Sequence, residues 1–135
     1  MDDLAERVLA AADTIAVVGL SRDPAKAAHA VPAQLQAAGF RIIPVNPSAR
    51  TLLGERVYAT LADIPEQVDL VEVFRPAAEA PGIARQAVAI GAKTLWLQEG
   101  IVSAQARRIA GEGGLAYVED RCAAVVRALA RITKP

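Results

Sequence analysis

Aromatic side chains are scarce in this sequence, with two Phe, two Tyr and one Trp in 135 residues. A core of large rings is excluded, and the 30 alanines together with the branched aliphatics must fill it instead. Cysteine is rarer still: Cys122 alone cannot close an internal disulfide, which fits a reducing compartment. His29 is the only histidine and offers no histidine pair for a metal. An excess of one charge sign is missing too. Fifteen basic and fifteen acidic residues give a formal net charge of +0, so no broad positive field exists to hold nucleic acid or a membrane surface. Any bound anion must be caught locally. The longest apolar run, around Ile15 to Val18, falls far short of the roughly 18 residues of a membrane span. Met1-Asp2-Asp3 lacks the basic start of a secretion signal. The expectation is a cytoplasmic protein with no membrane attachment. Gly and Pro occur at ordinary frequency, which excludes collagen-like or disordered chains, and the length is that of one domain over residues 1–135.

What is present is an alternation of two periods. Leu4, Val8, Ala11 and Ala12 recur at helical spacing behind two aspartates suited to a helix N-terminus, which predicts a surface helix over 2–12. A core follows over 14–132. Thr14 to Gly19 is a short unbroken apolar run, the pattern of a strand covered on both faces. It returns at Arg41 to Val45, Asp69 to Phe74, Thr94 to Leu97 and Leu115 to Val118, and a weaker edge strand is expected at Arg56 to Tyr58. Helical segments stop on Gly39, Gly91 and Gly113-Gly114. Pro32 lacks an N–H and suits only the first turn of its helix, which places that helix start near Ala28 to Val31. A last helix is expected to turn Cys122, Val125, Val126, Leu129 and Ile132 to the core. Strand and helix in alternation with short links give an α/β fold: a doubly wound parallel sheet of five to six strands with helices on both faces. With the order 3-2-1-4-5-6, the chain reverses between the strand ending at Gly19 and the one ending at Phe74, and ligands bind outside the carboxyl ends of the strands at that point.

Four turns at that edge therefore carry the search for function. In the first, Gly19 lets the backbone leave the strand with no side chain in the crevice, Ser21 offers a hydroxyl, and Arg22 and Lys26 offer charged donors. The following helix start adds unpaired N–H groups, so a phosphate fits there. The dinucleotide fingerprint G-x-G-x-x-G is absent, no acidic residue ends the second strand, and no Gly-Lys-Ser/Thr follows the first. NAD and a Walker-type nucleotide site are disfavoured. In the second turn Pro44 and Pro47 bracket Asn46, a stiff rim that presents one amide to a base or ribose. Phe74-Arg75-Pro76 sets a ring and a cation across the switch point, and Trp96-Leu97-Gln98-Glu99-Gly100 brings an amide and a carboxylate to the fourth turn.

The ordered series Ala16-Val17-Val18-Gly19-Leu20-Ser21, Pro44-Val45-Asn46-Pro47, Val73-Phe74-Arg75-Pro76, Trp96-Leu97-Gln98-Glu99-Gly100 and Asp120-Arg121-Cys122 resembles the small stand-alone coenzyme A-binding proteins. It covers Thr14 to about Leu129, and the family is similar to the N-terminal domain of the succinyl-CoA synthetase alpha subunit. The resemblance implies a Rossmann-like domain holding CoA or an acyl-CoA at the switch point. Gly19, Ser21, Arg22 and Lys26 take the phosphate loop, with His29 a further contact. Asn46 and Pro47 take the second turn, Phe74 and Arg75 the third, Gln98 and Gly100 the fourth. Three positions depart from the family pattern: Val126 and Arg127 stand where it often has Glu-His, and Ala30 where an aromatic residue is frequent. CoA carries about four negative charges near neutral pH, and Arg22, Lys26, Arg50 and Arg75 are the cations available to meet them.

No convincing catalytic group emerges from the residues. Arg121 and a helix start favour a Cys122 thiolate, whereas Asp120 and the burial pattern oppose it. The expectation is a binding protein without its own reaction. Two alternatives stay open: a small enzyme acting on a CoA thioester through Cys122 or His29, and a CoA-binding subunit that docks on a larger acyltransferase or ligase. A homodimer is compatible with any of them.

Overall fold

The computed structural model of the chain describes residues 3–135, and the predicted helix start at Asp2 lies outside them. Helix α1 (Leu4–Ala11) begins at Asp3, whose carboxylate accepts the Ala5 N–H at 2.8 Å and so satisfies one of the orphan donors of the first turn. Strand β1 (Thr14–Val18) then enters the centre of the molecule, and α2 (Ala27–Ala37) returns the chain to β2 (Arg41–Val45). A small antiparallel hairpin, β3 (Thr51–Leu52) and β4 (Glu55–Arg56), precedes β5 (Leu70–Val73). Helix α3 (Ala80–Ala89), strand β6 (Thr94–Leu97), helix α4 (Ala104–Glu112), strand β7 (Ala116–Val118) and helix α5 (Ala123–Ala130) complete the alternation.

Five strands form one parallel sheet in the order β2-β1-β5-β6-β7. Within this sheet the chain adds β2 on one side of β1 and β5, β6 and β7 on the other, so the reversal falls between β1 and β5. Because all strands run the same way, their carboxyl ends share one edge, and the turns after Val18, Val45 and Val73 meet there. Two apolar layers sandwich the sheet. One packs Leu9, Leu35 and Ala123 from α1, α2 and α5 onto Ile15, Val17, Ile42 and Trp96. The other packs Ala84, Ala87, Ala106 and Ala110 from α3 and α4 onto Val71, Leu95 and Leu97. The alanines let the helices lie close on the strands, and Trp96 is a large ring with no exposed surface at the centre of the core.

Three expectations need correction. The segment Arg56 to Tyr58 does not become a sixth strand; Glu55–Arg56 pairs within the hairpin, and Tyr58 makes a single parallel bridge to Val45 at the outer side of β2. Its length of contact is too short to build a ladder, although the Asn46 and Tyr58 amides still find the Tyr58 and Pro44 carbonyls at 3.0 and 3.1 Å. Helix α2 starts at Ala27, so Pro32 lies in its second turn. The carbonyl of Ala28, which would have received the missing proline N–H, instead accepts the amide of Ser21 at 3.1 Å. On α5 the buried residues are Ala123, Ala124 and Val126, while Val125 and Leu129 are 53% and 79% exposed. Close packing on the sheet selects the small side chains and turns the larger ones outward.

Candidate functional site

A cleft of about 600 Å³ opens at the carboxyl edge between β1 and β5. Its floor is the end of β1. Gly19 adopts φ +90° there, and a Cβ at this position would lie 2.9 Å from Arg75 Cδ and 3.1 Å from the Phe74 carbonyl oxygen. Both the left-handed backbone and the close approach of the Arg75 stem require glycine. Its amide donates to the Val45 carbonyl at 3.0 Å, which ties the first turn to the second.

The loop between β1 and α2 is folded back on the helix it leads to. Besides the Ser21 amide bond to Ala28, the Ser21 carbonyl accepts from His29 Nδ1 at 2.7 Å. Since a carbonyl can only accept, His29 carries its proton on Nδ1, and that nitrogen is unavailable as a base. Ser21 Oγ accepts the Asp23 amide at 3.1 Å, and Asp23 Oδ1 accepts the Ala25 amide at 3.0 Å. These short-range bonds set the loop as a series of turns that ends at Lys26, the residue preceding the first turn of α2. Arg22 and Lys26 are exposed on this frame and line the cleft. Among the described residues neither side chain has an ion-pair or hydrogen-bond partner. The backbone N–H groups of Ala27 and Ala28 likewise have no protein acceptor, so the positive end of α2 is open beside two unneutralised cations.

The opposite wall comes from Asn46, Pro47, Phe74 and Arg75. The Asn46 amide is not presented to the cleft as a free group. Its Nδ2 donates to the Leu20 carbonyl at 3.0 Å and its Oδ1 accepts the amide and hydroxyl of Ser48 at 2.8 and 3.0 Å. Asn46 therefore holds the first two turns in register. Arg75 is also engaged: Nε and Nη2 donate to the two Glu79 oxygens at 3.1 and 2.8 Å. Those bonds raise the guanidinium pKa above its already high ordinary value, so the cation is permanent. Thr60, Glu79, Ile83 and Gln86 also line the cleft, and the sequence motifs alone do not point to them. Glu79 was legible as the residue four after Arg75, whereas Thr60 reaches the cleft only because Tyr58 bridges back to Val45.

The structure thus brings Gly19, Ser21, Arg22, Lys26, Asn46, Pro47, Phe74 and Arg75 to one cleft and leaves out His29, Gln98, Gly100 and the additional cation Arg50. His29 is turned into the loop it braces. Gln98 follows β6, one strand further from the reversal; it is buried, and its Oε1 accepts the Ala123 amide at 3.4 Å. Gly100 donates to Asp120 Oδ1 at 2.7 Å. Cys122 is half-buried as the residue preceding α5 and packs against the layer under α1, α2 and α5. Among the described residues no group of three or more His, Cys, Asp or Glu could hold a metal, and no helix is long and apolar enough to cross a membrane.

The family profile described as CoA binding domain matches residues 13–128. The chain belongs to this CoA-binding family. The uncharacterized protein YneT of Bacillus subtilis is 35% identical over 126 residues, 93% of each chain. A solved structure from Thermus thermophilus, cell-free ID.343, is 37% identical with a TM-score of 0.90, covering 96% of this chain and 99% of that one. The acetate–CoA ligase [ADP-forming] II of Archaeoglobus fulgidus is 33% identical over 82 residues, which is 59% of this chain and 12% of the ligase. The CoA-binding domain described here therefore corresponds to a small part of that enzyme.

Proposed function

We propose that this chain binds CoA or an acyl-CoA in the cleft between β1 and β5 and has no reaction of its own. The observation that carries the reading is the pairing of Arg22 and Lys26, two cations with no partner among the described residues, with the open first turn of α2 on one wall of the cleft. A diphosphate fits that arrangement. Each charge-assisted contact contributes roughly 1.5 to 3 kcal/mol, so two or three contacts with the helix-end amides reach micromolar binding, about 8 kcal/mol. Absence of turnover is supported by the placement of His29 and Cys122, neither of which lines the cleft.

A thermal-shift panel with CoA, acetyl-CoA, dephospho-CoA, NAD and ATP tests the reading. At micromolar affinity, millimolar CoA adds about 4 kcal/mol of stability by mass action, a rise of several degrees in Tm for a chain of this size. A rise with NAD or ATP and none with CoA would overturn it. The partial match to the ligase favours one second reading, that the domain delivers CoA to a larger enzyme partner. Co-purification of such a partner from native extract, lost when the cleft cations are removed, would favour that reading.

A further inference from the structure

Of the three cations lining the cleft, one is already occupied. Arg75 meets Glu79 through two parallel N–H···O bonds of 3.1 and 2.8 Å, the planar fork geometry that guanidinium uses for carboxylate and phosphate alike. The Arg75 stem is seated against Gly19, where only the absence of a Cβ leaves room for it. That seat fixes where the guanidinium begins. Glu79 comes from the short turn Ala77–Glu79 directly ahead of α3, four residues along the chain from Arg75. It is the only acidic residue in the lining, and both partners are about half exposed, at 48% and 47% of their side chains. An exposed pair of this kind is held weakly, so a phosphate can replace the carboxylate on the same two N–H groups.

Resting on the CoA reading above, we propose that Glu79 is an internal competitor for Arg75. It fills the anion position at the β5 side of an empty cleft and gives it up when a phosphate of the ligand arrives. The carboxylate thereby lowers affinity for every ligand that needs Arg75. Ligands that reach only Arg22 and Lys26 are little affected, so Glu79 sets how strongly the cleft distinguishes anions by the number and span of their phosphates.

Calorimetric titration of CoA and, in parallel, of inorganic diphosphate into wild type, Glu79→Gln, Arg75→Gln and the double variant tests this. Glu79→Gln keeps the side-chain shape and removes the competing charge, and the expected result is CoA binding tighter by roughly two- to fivefold. Arg75→Gln weakens CoA binding, and in that background Glu79→Gln has no further effect. Diphosphate is expected to gain less than CoA from Glu79→Gln. Melting curves on all four proteins establish that each is folded. Unchanged or weaker CoA binding in Glu79→Gln overturns the proposal and leaves the CoA reading intact. A gain of equal size with Arg75 present and in the Arg75→Gln background also overturns it, because general repulsion would then explain the effect without competition. If diphosphate binds and gains from Glu79→Gln while CoA does not bind, the CoA reading fails and the competition stands. If neither probe binds, both fall.

Discussion

Two polar regions lie along the carboxyl edge of the sheet, and they differ in where their hydrogen bonds and charges go. At the β1–β5 end, Arg22, Lys26 and the first amides of α2 have no protein partner among the described residues. At the β6–β7 end the polar groups answer one another. Tyr117 donates its hydroxyl to Glu119 Oε1 at 2.8 Å, with the Ser103 carbonyl 3.1 Å away, and Glu119 Oε2 lies 3.3 Å from Arg107. Burial and then Glu119 push the Tyr117 hydroxyl well above its usual range. Burial would raise the Glu119 carboxyl as well, but Tyr117, the Ser103 amide and Arg107 outweigh it and hold it low. Asp120, in the left-handed region at φ +55°, spends its carboxylate on the Gly100 amide. A region whose charges are mutually satisfied acts as a brace, whereas cations and amides left open, as Arg22, Lys26 and the start of α2 are, remain free to meet an anion.

The contrast is tested most severely by Arg22→Ala combined with Lys26→Ala. CoA affinity is expected to fall by about a hundredfold or more, the loss of two contacts at no less than about 1.5 kcal/mol each. The unliganded Tm should move by no more than about a degree or two, because neither side chain holds the fold. Calorimetry and melting curves read the two quantities separately, and a large drop in Tm would place these cations with the braces.

Glu72 belongs to neither class. It lies on β5 between Val17 and Trp96, wholly buried, with both carboxyl oxygens lacking a partner among the described residues. Burial pushes its pKa up to about 8 from 4.5. The folded chain keeps the proton where the unfolded chain has released it, so stability is full below about 4.5 and declines as pH rises toward about 8. Urea titrations across that window should show a slope approaching about 1.4 kcal/mol per pH unit, and Glu72→Leu should flatten it and raise stability at the upper end of the window. Gly19→Ala comes next, destabilising by about 1 to 3 kcal/mol through strained backbone and displacing Arg75 from its seat. Smallest is Tyr117→Phe, which removes one hydrogen bond of the brace, costs about 1 kcal/mol and leaves CoA affinity unchanged. A loss of CoA binding in that variant would break the division between the two ends.

Much of this is legible before folding because both faces of the sheet are covered. Arg41 to Val45 and Thr94 to Leu97 read as unbroken apolar runs, and the strands have those same limits. Failures arise where the pattern depends on partners far away in sequence. Valine and leucine on α5 outrank alanine in any hydropathy pattern, yet the narrow space over Trp96 and Val17 accepts Ala123 and Ala124 and leaves Val125 and Leu129 outside. Pro32 is placed in the first turn by its missing N–H, and no rule local to the helix reveals that Ser21 would use the carbonyl it leaves free. In the cleft, the residue types of the first and third turns survive translation into space. Gln98 and Gly100 do not join them, since β6 is separated from β1 by the whole of β5. Asn46 is at the site, but as a tie between loops.

The bond from Ser21 to Ala28 makes the loop and the helix entrance one rigid piece, locked on its far side by His29. A guest anion arriving there meets a socket whose backbone has already given up its freedom during folding. Little ordering is left for the encounter itself, so affinity should respond to changes at Pro32 and His29 even though neither lines the cleft.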